Sequence, residues 1–192
     1  NPKRALLVVV AFMLGGMIGT GIVLARAMFN RGIENADDIE KLGLPVYATI
    51  PLSDTQADMA RKKRSRKEHT SGLLAIENPA DLAVESLRSL RTSLHFGMMD
   101  ARNNILMISG PSPGVGKTFV SVNLAAVMAM ANQRVLLVDA DMRRGFSHDV
   151  FGVSNHKGLS DLLAGKVTVE EATEHSGVEG LDFISRGTVP PN

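Results

Sequence analysis

The residues best suited to chemistry stand together in Gly110-Pro-Ser-Pro-Gly-Val-Gly-Lys-Thr118. Glycine frees consecutive backbone N–H groups to face an anion, and a helix starting at the same point turns its positive end toward it. Lys117 then reaches the β/γ phosphates of a nucleotide, and the Thr118 hydroxyl sits on Mg2+. In the strict GxxxxGK[ST] pattern the first glycine falls at Pro111, and Gly110 is one place early. A glycine-rich turn before an ordinary helix is the competing reading, and the flanks decide between them. Ile105-Leu-Met-Ile108 is an apolar run that predicts a buried strand, and from Lys117 to Ala131 apolar residues recur at helical spacing. Strand, glycine loop and helix in that order predict a nucleotide site.

A second set of chemical groups follows. Val135-Leu-Leu-Val138 predicts another strand, and it ends in Asp139-Ala-Asp141-Met-Arg143. In a parallel α/β sheet ligands bind at the carboxyl ends of strands, which brings Asp139 to the crevice that holds the glycine loop. Two carboxylates beside a triphosphate repel it unless a divalent cation lies between them, so Asp139 or Asp141 with Thr118 implies Mg2+. The competing reading is that both acids cap the next turn.

The elements that must position these groups come from 192 residues, enough for one α/β domain or a smaller domain with attachments. No cysteine or tryptophan is present, which removes disulfides and thiolate metal sites. The net charge of +1 conceals local segregation and says nothing about partners. The chain starts at Asn1, and Val189-Pro-Pro-Asn192 closes no recognisable element, so a piece of a longer protein is expected.

Ala5 to Ala25 is 21 residues without a charge, between Lys3-Arg4 and Arg26. A helix of that run is about 31 Å long, close to the ~30 Å hydrocarbon core. It has no polar face for water, and it is too long for a signal-peptide core despite Ala25-Arg-Ala27, so it predicts a transmembrane helix. Gly15 and Gly19 stand at GxxxG spacing. Basic residues on both sides leave orientation open; an ATP site places the Lys117 side in the cytoplasm. Asn35 to Leu42 predicts a short helix stopped by Gly43, with Val46 to Ile50 extended after it. Arg61 to Lys67 carries six basic residues in seven positions and predicts a solvated linker, with attraction to anionic lipid as the functional alternative. No aromatic residues accompany the charges, which argues against nucleic acid.

Asn78-Pro79 predicts a helix start, and the helix is expected to reach about Met99. Leu87, Leu90, Leu94 and Met98 share one side of it; Glu85 and Arg88 lie opposite and Arg91 flanks, which by spacing alone is a solvated face. Beyond Arg143, Gly158 to Leu163 predicts a short helix ended by Gly165, Thr168-Val-Glu-Glu171 a capping box, and Leu181-Asp-Phe-Ile184 a third strand. His148, His156 and His175 lack metal-ligand spacing.

Taken together these residues resemble the bacterial tyrosine kinases that are also polysaccharide co-polymerases, the Wzc/Etk kind. The resemblance rests on the loop Pro113 to Thr118, the Asp139, Asp141, Arg143 motif, and Glu85, Arg88, Arg91 in the preceding helix. The loop is also similar to the deviant loops of partitioning-type ATPases, except that Ser112 stands where those carry lysine. The resemblance implies a truncated P-loop α/β fold, a parallel sheet with flanking helices, behind the second of two membrane helices. It divides the chain into an extracytoplasmic end (1–4), a membrane helix (5–25), a juxtamembrane segment and basic linker (26–77) and the start of a kinase domain (78–192). Residues Pro113 to Phe119 and Arg143 would bind ATP; Thr118, Asp139 and Asp141 would hold Mg2+. Lys117, Asp139 and Asp141 would be catalytic, Asp139 as base for a tyrosine hydroxyl. Glu85, Arg88 and Arg91 would pack on the next subunit of a ring that phosphorylates C-terminal tyrosines in trans. The implied setting is the inner membrane and its lipid, with the capsule or exopolysaccharide export machinery and a tyrosine phosphatase as partners. The family's third acidic motif, an apolar run before Asp-x-x-Pro, and its tyrosine cluster have no match here, and Tyr47 is the only tyrosine. The 192-residue chain alone is therefore expected to be inactive. Two alternatives remain: a membrane-tethered ATPase switch and a non-catalytic co-polymerase subunit.

Overall fold

The computed structural model describes residues 2–29, 36–65 and 72–189. The chain falls into two units, Asn1–Val46 and Tyr47–Asn192. The first contains α1 (Pro2–Phe29) and α2 (Ala36–Glu40). Leu6–Arg26 within α1 is long and apolar enough to cross a membrane, and its side chains pack against nothing. Its one hydroxyl-bearing residue, Thr20, donates to the carbonyl of Gly16 at 2.8 Å, so that hydroxyl needs no partner from its surroundings. α2 ends where Gly43 turns with φ +80, as expected from the sequence. Asn35, invoked above as the start of this helix, lies outside the described residues, as do Arg66, Lys67 and the last three residues.

The second unit is built around α6 (Lys117–Ala129), buried on nearly every side. On one flank lie α4 (Leu74–Glu77) and α5 (Leu82–Gly97), whose Leu74, Ala75, Ala83, Val84 and Leu87 join Leu124 to Val127 in a continuous core. On the other flank is a sheet of β1 (Val135–Val138), β2 (Thr173–His175) and β3 (Leu181–Ile184), ordered β1-β3-β2. A helix closed in from both flanks has no use for a polar face, which explains the apolar run 119–129. Its single buried amide is fully used: Asn123 accepts from the N–H of Ala75 and donates to the carbonyl of Phe119, both at 2.9 Å. That side chain pins α4 to α6. Helices α7 (Ser147–Phe151), α8 (Leu159–Leu163) and α9 (Val169–Ala172) complete the connection from β1 to β2. Phe151 of α7 meets Phe183 of β3 with ring centroids 4.9 Å apart. The Thr168 capping box closes as expected, Thr168 N–H donating to Glu171 and Glu171 N–H to Thr168.

Four sequence expectations change. Residues 105–108 form no ladder; Ile105 and Met107 are 78% and 85% exposed, and only Ile108 packs on the core. A strand exists only with a neighbour, and β1, whose second edge faces the same groove, is not bonded to it. Second, β2 joins β3 antiparallel while β1 joins β3 parallel, so the sheet is mixed. Third, α3 (Asp54–Ser65) is a helix through much of the stretch expected to be linker. Fourth, the helix expected from Asn78 begins at Leu82. Asn78 instead ends α4, its N–H donating to Leu74, and Asp81 caps α5 by accepting from the N–H of Ala83 at 2.9 Å.

Asp81 also accepts from the Ser53 hydroxyl at 2.7 Å, tying the start of α3 to the start of α5. Burial raises its pKa, but the bonds from Ser53, the Ala83 backbone and Thr55 outweigh this and hold it below the ordinary 3.8. A carboxyl depressed in the folded state stabilises above its unfolded pKa, and that stability is lost as pH falls through the folded value. Asp81→Ala is expected to cost about 1 kcal/mol at pH 7. Urea unfolding of the chain in detergent should show this difference shrinking as pH drops below the ordinary carboxylate range; a difference independent of pH would contradict it.

Candidate nucleotide site

The glycine loop enters α6 directly. Gly116 caps the helix with φ +92 and Gly114 turns with φ +80, both conformations that other residues resist. Gly110 lies against the side chains of Val115 and Lys117, so the loop folds back on its own stem. Lys117 Nζ donates to the carbonyl of Ser112 at 3.0 Å, spanning the loop from the helix side. Pro113, Gly114 and Val115 are exposed, and Gly116, Lys117, Thr118 and Phe119 are half-buried, with Phe119 packing on the core from the first turn. The first turn of α6 carries no acid, so nothing offsets its positive end.

The acidic motif hangs from β1. The Asp139 N–H donates to the carbonyl of Ile184 at 3.0 Å, extending the ladder by one bond. Its carboxylate, in a residue 8% exposed, then takes two backbone N–H groups: Asp141 at 3.2 Å and Ser147 at 3.1 Å, one on each oxygen. Asp141 accepts from the N–H of Arg144 at 2.9 Å through its carboxylate, and from Gly145 at 2.7 Å through its carbonyl. Gly145 is required by contact: a Cβ there would stand 2.5 and 2.6 Å from the two oxygens of Asp139. Arg143 is exposed. Among the described residues neither Asp139 nor Asp141 has an ion-pair partner. No cluster of three or more His, Cys, Asp or Glu that could hold a metal occurs among the described residues. Two carboxylates with spare lone pairs and a threonine hydroxyl are the hard oxygen donors Mg2+ takes when phosphate and water complete its shell, so the set fits that ion.

The proposed interface residues divide. Glu85 and Arg88 pair with each other at 2.8 Å on the exposed face of α5. Arg91 turns inward and reaches the carbonyl of Val127 at 3.4 Å, joining α5 to α6. Two further groups escaped the sequence reading, Arg186 and Asp161, whose partners lie 43 and 27 residues away respectively.

A glycine loop opening a buried helix, with an acid-ended strand next along the chain, defines a P-loop nucleotide-binding fold. Residues 103–188 match the AAA domain family. The tyrosine-protein kinase etk of Escherichia coli K12 is 52% identical over all of this chain and 28% of its own length. The tyrosine-protein kinase wzc of Salmonella typhimurium is 49% identical over all of the chain and 27% of its own. The BceF tyrosine kinase domain superposes with a TM-score of 0.78 and 45% identity, over 84% of this chain and 65% of that one. The chain is homologous along its whole length to bacterial tyrosine kinases of the Etk/Wzc kind, and its second unit has their kinase-domain fold. It spans a little over a quarter of the length of the curated relatives it matches.

Gly145→Ala is expected to weaken nucleotide binding in Mg2+ about tenfold, ~1.4 kcal/mol, and to leave binding in EDTA within twofold. Calorimetric titration in the two buffers separates the cases; an equal loss in both would mean that the glycine serves the fold alone.

Proposed function

We propose that this chain is the membrane-anchoring and nucleotide-binding part of a protein-tyrosine kinase that uses ATP and Mg2+. The observation that carries the reading is the pairing of an anion-ready loop, Gly114 to Thr118, with two carboxylates that no basic side chain among the described residues pairs. The identity to tyrosine-protein kinases over the whole chain supports it.

In this reading Pro113 to Phe119 wrap the triphosphate, with Lys117 leaving the Ser112 carbonyl for the β/γ phosphates. Thr118, Asp139 and Asp141 hold Mg2+, which when bound neutralises phosphate charge and orients the terminal group. Asp139, fixed by two N–H bonds, has lone pairs left to accept the tyrosine hydroxyl proton, and Arg143 meets phosphate from the exposed side. Positioning and charge neutralisation supply most of the rate in such transfers. Leu6–Arg26 anchors the protein in the inner membrane with the Lys117 side in the cytoplasm. Glu85, Arg88 and Arg91 join copies into a ring whose members phosphorylate one another. Capsule or exopolysaccharide export, reversed by a phosphatase, is the setting.

The test uses the full-length gene product that carries this segment. With ATP and Mg2+ it should become phosphotyrosine-positive, and Lys117→Met should reduce the signal at least a hundredfold. Phosphate release without phosphotyrosine would replace this reading with an ATPase switch.

A further inference from the structure

Among the described residues, one side chain from elsewhere in the sequence bonds to the acidic loop. Residues 140–146 bond to each other, to Asp139 and to Asp149; among the described residues their single hydrogen bond to another part of the chain comes from Arg186. Its Nη1 donates to the carbonyl of Arg143 at 3.0 Å, across 43 residues of sequence. The distal half of the motif is otherwise a surface turn.

Arg186 stands on a fixed base. It follows β3 by two residues, and the backbone around it is bonded on both sides. The carbonyl of Ser185 accepts from Leu159 N–H at 2.7 Å and that of Arg186 from Ser160 N–H at 3.0 Å. The Gly187 N–H donates to the Asn155 side chain at 3.2 Å. Asp161, only 7% exposed, takes the Thr188 N–H at 3.1 Å and the Thr188 hydroxyl at 2.7 Å. The Ser160 hydroxyl closes the set on the Thr188 carbonyl at 2.6 Å. The backbone that carries the guanidinium is thus fixed, and the side chain's own bond, from a charged donor, is about twice as strong as a neutral one.

What it grips decides its role. The Arg143 carbonyl lies two residues past Asp141, inside the turn that Asp141 closes on Arg144 and Gly145. Fixing that carbonyl fixes the peptide planes which aim the Asp141 carboxylate. It also leaves both acids without an ion-pair partner among the described residues, because this cation is spent on a backbone oxygen and not on a carboxylate.

We propose that Arg186 is a positioning residue of the nucleotide site, holding the 139–145 loop so that Asp141 is presented to the nucleotide's divalent cation. This rests on the reading of the loop and acids as a nucleotide site. Loss of the guanidinium removes the dependence of nucleotide affinity on Mg2+ and leaves phosphate contacts to the glycine loop intact.

The test uses the whole chain in nanodiscs with mant-ADP as probe, titrated in EDTA and at increasing Mg2+, for wild type, Arg186→Met and Arg186→Lys. In EDTA the three should agree within twofold. In Mg2+ the methionine variant should bind at least fivefold more weakly than wild type. Lysine should recover part of the loss, since an ammonium still reaches one carbonyl. In nucleotide-free protein, amides in the peptide covering residues 140–147 should exchange at least tenfold faster in Arg186→Met, with exchange in α6 unchanged. Equal Mg2+ dependence in all three proteins, or equal exchange in residues 140–147, overturns the proposal. So does an Arg186→Met chain whose α6 amides also lose protection, if Arg186→Lys binds like it, because the arginine then serves the fold. A wild type indifferent to Mg2+ overturns the nucleotide reading, while the exchange comparison still judges the arginine.

Discussion

Val135 to Val138 pair in register with Leu181 to Ile184, and one further bond, from Asp139 N–H to the Ile184 carbonyl at 3.0 Å, sets where the acidic loop begins. A parallel pair aligns the two strands' carboxyl ends, so the chain leaves β1 and β3 at the same edge of the sheet. The 139–145 loop and the 185–188 segment are therefore neighbours by construction, although residues 146–184 separate them in sequence. Everything specific about the second site follows from this adjacency. Asp139 is buried because β3 is beside it, and Arg186 can reach the Arg143 carbonyl because both are one turn past the ladder.

The ladder in turn depends on α6. The helix supplies the apolar surface against which Val135 and Leu137 lie, and through Asn123 it fixes α4. It also starts at the glycine loop, so one rigid element carries the anion cradle at its first turn and the floor of the sheet along its length. The other face of β1 is less covered: Leu136 and Val138 are 49% and 39% exposed. The groove between β1 and residues 104–108, lined by Leu106, Ile108, Leu136 and Leu137, leaves the sheet open on that side.

What the sequence disclosed and what it withheld divide along range. The Gly114–Thr118 loop, the Thr168 box, Gly43 and Gly165 as stops, and the runs at 135–138 and 181–184 are local codes, and each was legible. The run 105–108 carries the same apolar code but has no neighbour to bond, so its periodicity misleads. Asn78-Pro79 reads as a helix start, and only the bonds that Asp81 accepts, from the Ala83 N–H and from the distant Ser53 hydroxyl, show where the fold begins the helix. β2, a Thr-Glu-His strand on an edge, has no apolar signal at all. Arg186 and Asp161 read as ordinary surface charges until the ladder brings their partners near.

The electrostatics of the site make a final point about how it stays ready. Lys117 donates to a carbonyl, Asp139 and Asp141 accept from backbone N–H groups, and Arg186 donates to another carbonyl. Each charge thus rests on a neutral dipole of the main chain, and no ion pair among the described residues cancels it. A Lys117–Asp139 pair would add Coulomb energy, but a triphosphate and a cation would have to break it to enter, and each charge would be left to find a new partner. Main-chain dipoles hold the same groups in place for less binding energy lost on exchange. The glycines make this possible: at 114 and 116 they take the left-handed backbone the loop needs, and at 145 the absence of a Cβ lets the chain pass the Asp139 carboxylate. A site built in this way keeps positive and negative groups apart until a ligand carrying both signs arrives.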